Sequence, residues 1–188
     1  MISQLSQAKQ WFAANEKLGF WIKAFVGANL IALFAQISIP LPYVPITGQT
    51  LAVLVVGLAL GSKAGATAAA IYLLEGAMGL PVFAGGAGGF ARILGASGGY
   101  LLSYVPAMFL LGYFSDKGAL ESLWKTALAA LLASVVIYAF GLIQLSFFLP
   151  AGKSVLAVGL YPFIAGDLLK AALASVLVVP THRLFSKL

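Results

Sequence analysis

Two ionisable residues sit where an apolar chain tolerates them least. Asp167 and Lys170 fall inside the last hydrophobic run, about Ala157 to Val179, three positions apart and so on one helical face. If that helix starts near Gly159, Asp167 lies roughly 12 Å down it, at about 1.5 Å per residue. Burying either charge near mid-membrane costs at least ~2.5 kcal/mol on insertion scales. Such a pair either satisfies itself or lines a cavity that holds a polar solute, and intramembrane ionisable residues default to the second reading. Tyr161, about two turns above Asp167, is expected to add an aromatic wall. Arg92 is either a surface arginine or the anchor of a carboxylate, which guanidinium grips in bidentate geometry. Gln49 brings amide donors and acceptors to the outer start of the second helix. Glu75 lies in the outer half of the third, where it pairs with Arg92, Lys170 or neither. If these four charges line one site they cancel, so charge counting does not fix the sign of a ligand.

The elements that position these residues follow from composition. Of the 188 residues 62% are hydrophobic and 9% charged, and the mean hydropathy is +1.03. A soluble domain carries roughly a quarter charged residues, so the solvent here is largely lipid. Six apolar runs are visible, at about 20–39, 49–60, 64–80, 97–114, 123–148 and 157–179. Lipid offers no water to backbone groups, so the runs are expected to be helices. The predicted fold is an all-α membrane protein, a compact bundle of six transmembrane helices with both termini cytoplasmic. Residues 1–19 are expected to be a cytoplasmic or interfacial segment rather than a cleaved signal, since no small-residue cleavage site stands there, and residues 20–188 are expected to form the transmembrane domain. There is no cysteine, which excludes disulfides and thiolate metal sites.

Orientation follows from the basic residues. With the N-terminus inside, Lys9, Lys17, Lys23, Lys63, Lys117, Lys125, Arg183 and Lys187 fall at the cytoplasmic face. Only Arg92 and Lys153 fall outside, and Trp11, Trp21 and Trp124 sit near the inner ends as interface anchors. The net charge of +6 is then a membrane signature rather than one of nucleic acid.

Inner connections are short and charged, whereas the first and third outer ones are apolar and rich in proline or glycine. Exposed, they would form a large hydrophobic patch, so they are expected to fold over something. Gly85, Gly86, Gly88 and Gly89 exceed what a turn needs, and bare backbone can approach a ligand closely. No Gly-Lys-Ser/Thr follows them, so this is not a nucleotide-binding loop. On the first helix Ala24, Ala28 and Ala32 recur every four residues, a groove of small side chains that admits another helix backbone. It serves packing within the bundle or docking of a separate membrane partner.

Three segments resemble one family. Pro45-Ile46-Thr47-Gly48-Gln49-Thr50, the run Gly79-Leu80-Pro81-Val82-Phe83-Ala84-Gly85-Gly86 with Gly98-Gly99-Tyr100-Leu101, and Tyr161 to Lys170 are similar, in this order, to the biotin transporter component BioY. The resemblance implies the substrate-binding S component of an energy-coupling factor (ECF) vitamin transporter, a cell-membrane protein that binds biotin near its extracellular side. It implies a transmembrane coupling protein and an ATPase pair as partners, with no enzymatic activity and no cofactor of its own. Asp167 and Lys170 match the family's last-helix motif, Gln49 and the glycines around Gly85 and Gly98, with Tyr100, match its outer loops, and Ala24, Ala28 and Ala32 resemble its docking face. Where the family has Gly-Pro-Thr before Gly98, this chain has Gly95-Ala96-Ser97.

Three rival readings remain open on residues alone. A stand-alone secondary transporter needs no ATPase, and another vitamin suits the same polar groups. Gly95-Ala96-Ser97-Gly98 also fits an intramembrane serine protease. Its base would have to be His182, which the topology puts on the other side of a bilayer about 30 Å thick.

Overall fold

The computed structural model describes residues 15–186. Lys9, Trp11 and Lys187, and most of the expected N-terminal segment, lie outside them. The chain is helical, as lipid demands. α1 spans Glu16–Ala35, α2 Gln49–Ala77, α3 Phe90–Leu94, α4 Gly98–Asp116, α5 Leu123–Ser146, α6 Val155–Gly159 and α7 Tyr161–Ser186. Among the described residues four helical stretches are, by length and composition, long and apolar enough to cross a membrane: α1, α2, α5 and the run 155–184 that joins α6 to α7.

α2 is two helical limbs rather than one helix. At Gly61 the backbone leaves the helix at φ 78° and ψ 177°, a region almost confined to glycine, and the chain doubles back. A Cβ on Gly65 would lie 3.3 Å from the Cα of Gly57. In an unbroken helix those positions are about 12 Å apart. Gln49 at the start of α2 likewise hydrogen-bonds Tyr72 near its end. The two limbs of α2, with α1, α4, α5 and α7, make six helices. Asp116 at the end of α4 secures the turn, accepting the Ser62 N–H at 3.1 Å and the Ser62 hydroxyl at 2.7 Å.

α2 is the centre of the bundle, packing against α1 on one side and α4 on the other, while α7 closes against α2 and α5. The core is built from Ile31, Leu54, Leu58, Tyr72, Met108, Leu111 and Val179 with many alanines between them. Small residues carry close contact where no hydrophobic force separates protein from lipid.

The alanine stripe of α1 belongs to this packing. Ala24 and Ala28 are fully buried and Ala32 half-buried, while Trp21, Phe25, Val26 and Leu33 face outward. Beside them, a Cβ on Gly27 would meet Val56 and Ala68 of α2. Of the two roles the spacing allows, Ala24 and Ala28 take that of packing, where α1 meets α2.

The first connection, between α1 and α2, holds a two-stranded antiparallel hairpin, β1 (Ser38–Ile39) with β2 (Ile46–Thr47), Ser38 opposite Thr47. The third folds inward on Phe83, which is buried with its ring 5.4 Å from that of Tyr72 at 80°. Val44 of the first connection and Phe83 of the third are buried against the bundle, while Ile37, Ile39, Leu41, Met78 and Leu80 stay exposed.

Candidate functional site

A cavity of about 300 Å³ opens between these two connections and the ends of α2, α4, α5 and α7, at the lower end of the range for small-molecule sites. Its apolar and aromatic lining includes Tyr43, Val44, Phe83, Tyr100, Tyr104 and Phe163, and its polar groups include Gln49, Thr50, Tyr138, Asp167, Lys170 and Arg92.

α7 presents Asp167 and Lys170 on one face because they lie three residues apart. Lys170 Nζ is 3.0 Å from Asp167 Oδ1, and both side chains are largely shielded, at 16% and 13% exposure. The pair does not satisfy itself alone. Thr50 of α2 donates to Asp167 Oδ1 at 3.3 Å and accepts from Lys170 at 2.6 Å. Tyr138 of α5 donates to Asp167 Oδ2. Three helices therefore converge on one carboxylate.

Counting donors and acceptors shows what is left for a ligand. A carboxylate oxygen accepts about two hydrogen bonds and an ammonium donates three. Oδ1 is filled by Thr50 and Lys170, Oδ2 holds Tyr138 and keeps one acceptor position, and Lys170 keeps one proton. An acceptor beside a donor complements a planar group that offers N–H and C=O along one edge.

Gln49, 4% exposed, is fixed by its own network. Thr47 donates to its Oε1 at 3.0 Å, and its Nε2 donates to the Tyr72 hydroxyl, which donates to the Val82 carbonyl at 3.2 Å. This chain of bonds links the first connection, the cavity wall and the third connection. Arg92 stands on the short helix α3, exposed at the rim, so the site carries one paired carboxylate and ammonium below and one cation at its edge.

The other expected residues divide. Gly85 and Tyr100 line the cavity, and the Tyr100 hydroxyl donates to Gly159 at 2.8 Å. Tyr161 does not line it: it is 60% exposed, because six residues before Asp167 is about 240° around the helix. Phe163, four residues before, takes the place on the wall. Gly86 points its N–H away, to Gln36 at 2.9 Å. Gly98 is packed under Ile93, where a Cβ would fall 1.7 Å from the carbonyl. Glu75 is buried outside the cavity. Among the described residues its Oε2 has no hydrogen-bond partner, and it pairs with neither Arg92 nor Lys170. Sequence reasoning did not name Thr50, Tyr104 or Tyr138: Thr50 closes the Pro45–Thr50 motif, but Tyr104 and Tyr138 are neutral polar residues within apolar helices that nothing marks until the helices are assembled. Ser97 reaches the cavity, but His182 lies about 22 Å beyond Asp167 along α7, which separates the two halves of any serine–histidine pair.

Comparison with known proteins agrees with this architecture. The sequence model of the BioY family matches residues 7–187. The biotin transporter BioY of Thermotoga maritima is 38% identical over 168 residues, covering 87% of this chain and 95% of the relative. The BioY of Rhizobium etli is 36% identical over 165 residues, covering 83% and 88%. A crystal structure described as the S-component for biotin from an ECF-type ABC transporter superposes with a TM-score of 0.78 at 29% identity, covering 90% of this chain and 93% of that one. A multi-pass membrane protein with a polar cluster set in an aromatic cavity, matched along nearly its whole length, this chain belongs to the BioY family.

Proposed function

We propose that this protein is the biotin-binding S component of an ECF-type uptake transporter. The observation that carries the reading is the α7 pair, Asp167 and Lys170, held by Thr50 and Tyr138 at the cavity wall with one acceptor and one donor unspent. Biotin's ureido ring offers N–H and C=O on one edge, its thiophane ring and chain are apolar, and its tail is a carboxylate. Asp167 takes ureido N–H and Lys170 the ureido oxygen, while Tyr100, Tyr104 and Phe163 enclose the apolar ring. Arg92, the cation of the rim, holds the tail. The paired charges cancel, so the site's remaining positive charge suits a monoanion. Glu75, Gly86, Gly98 and Tyr161 take no part in contact.

In this reading the basic residues place both termini in the cytoplasm and the cavity faces outward. Residues 20–188 act as one substrate-binding domain without an ATPase or cofactor of its own. A separate transmembrane coupling protein and a pair of ATPases drive delivery inward.

The test is a titration of radiolabelled biotin on detergent-purified protein, with thiamine and riboflavin as competitors, on wild type and Asp167→Asn. Saturable binding that only unlabelled biotin displaces, lost in the variant, is expected. Binding that survives in Asp167→Asn would move the site elsewhere, and no binding by folded wild type would remove biotin as the ligand.

A further inference from the structure

The third connection is held at its base by buried Phe83, by the Tyr72 hydroxyl on the Val82 carbonyl and by the Gly89 N–H on the Gly76 carbonyl at 2.7 Å, but its glycine-rich tip has little of its own to fix it. Between Pro81 and Gly89 it closes on itself through a ladder contact of Phe83 with Ala87, and Gly85, Gly86 and Gly89 adopt positive φ, where backbone freedom is greatest. Yet Ala84, Gly85, Ala87 and Arg92 all line the cavity, so the position of this segment decides whether the cavity is covered.

Two glutamines from opposite sides of the bundle tie it down. Gln36, just past α1, donates Nε2 to the Phe83 carbonyl at 3.3 Å and accepts the Gly86 N–H on Oε1 at 2.9 Å. Its Nε2 also reaches the Ala32 carbonyl at 3.0 Å, which fixes the rotamer to α1. Gln144 on α5 donates Nε2 to the carbonyls of Ile93 and Gly95, at 2.9 and 2.8 Å. The anchored positions, 83–86 and 93–95, bracket the lining residues. Neither glutamine lines the cavity.

We propose that Gln36 and Gln144 are positioning residues that hold the third connection closed over the cavity and set how fast a solute enters and leaves. The inference rests on the cavity being the binding site. Each amide bonds only backbone of the moving segment and of its own helix, so it acts on the ligand through the loop. Loss of one such bond shifts an open–closed equilibrium by roughly two- to tenfold. An opened cover speeds both admission and escape, so the affinity changes less than either rate.

Two measurements on the full chain in detergent test this. The first is amide hydrogen exchange over residues 83–95 without ligand, for wild type, Gln36→Met, Gln144→Met and Gln36→Glu. Faster exchange is expected near Gly86 in Gln36→Met and around 93–98 in Gln144→Met. Gln36→Glu keeps the acceptor for the Gly86 N–H and should remain closer to wild type. The second is the association and dissociation of radiolabelled biotin, each expected to rise roughly three- to tenfold in the methionine variants. Unchanged exchange in both methionine variants overturns the proposal. So does a faster dissociation coupled with slower association, which marks a deformed site rather than an opened cover. If wild type binds no biotin, the proposed function fails while the exchange experiment still decides the clamp.

Discussion

Thr50 Oγ1 stands 2.6 Å from Lys170 Nζ and 3.3 Å from Asp167 Oδ1, so one hydroxyl accepts from the cation of α7 and donates to its anion. A threonine 117 positions away in sequence from the aspartate makes the ion pair a product of the tertiary fold. A self-contained intrahelical pair would need no such partner. With Tyr138 arriving from α5, the carboxylate is oriented before any ligand appears, which lowers the cost of ordering it on binding.

The first prediction concerns that pair. Lys170→Met leaves a mostly buried carboxylate without its cation, and breaking a buried pair destabilises by about 3–5 kcal/mol; residual exposure puts the expected loss near the lower figure. The double variant Asp167→Asn/Lys170→Met removes both charges and should recover much of the stability. Biotin binding should be lost in both variants. Thermal unfolding in detergent, read beside radioligand binding, checks this. A double variant as unstable as Lys170→Met alone would show that the two charges are not coupled.

Arg92 offers a cleaner separation, because it is exposed and its loss should leave the fold intact. Arg92→Ala is expected to weaken biotin by roughly tenfold or more, the effect of losing a charged hydrogen bond. Biotin amide, which lacks the anionic tail, should bind wild type and variant alike. Equal weakening of both compounds would remove Arg92 as the anchor of the tail.

These sites were legible in the sequence to different degrees, for physical reasons. Asp167 and Lys170 stand out because charge within an apolar run is expensive and therefore informative. Gly61-Ser62-Lys63 marks the reversal of α2 because a polar, glycine-led break between two apolar runs has few other uses. Tyr161 turns away from the cavity because the angle around a helix, as well as the height along it, decides what a residue faces: six residues is about one and two-thirds turns. Ala24, Ala28 and Ala32 do share a face, but spacing does not say whether a face looks in or out. Thr50 stands in a segment that carries the resemblance without being marked as a site residue, and Tyr138, Gln36 and Gln144 give no signal at all, since a neutral polar side chain acquires meaning only from what another element brings to it.

The inward stripe leads to a third prediction. Ala28 is fully buried, so Ala28→Leu forces extra methylenes into a packed α1–α2 contact, which costs about 1–3 kcal/mol. The isolated protein itself should unfold earlier on heating and bind biotin less well. If Ala28→Leu instead leaves the isolated protein's stability and binding untouched, the stripe is not the internal contact described above.

A fourth prediction isolates the turn that makes two helices of α2. Gly61→Ala meets two penalties: a φ of 78° with ψ 177°, a conformation that costs other residues about 1–3 kcal/mol, and a Cβ 2.6 Å from Asp116 Oδ1. Relief of the second would push away the carboxylate that caps Ser62. Gly152 is the control. It also has positive φ, at 87°, but a Cβ there meets nothing within 4 Å, so Gly152→Ala bears conformational strain alone. Thermal unfolding should therefore rank wild type above Gly152→Ala and Gly152→Ala above Gly61→Ala. Biotin binding should fall in Gly61→Ala because Gln49 and Thr50 open the first limb while Tyr72 lies on the second. Equal losses for the two alanine variants would mean that Asp116 yields freely and that the reversal of α2 does not depend on its contact with Gly61.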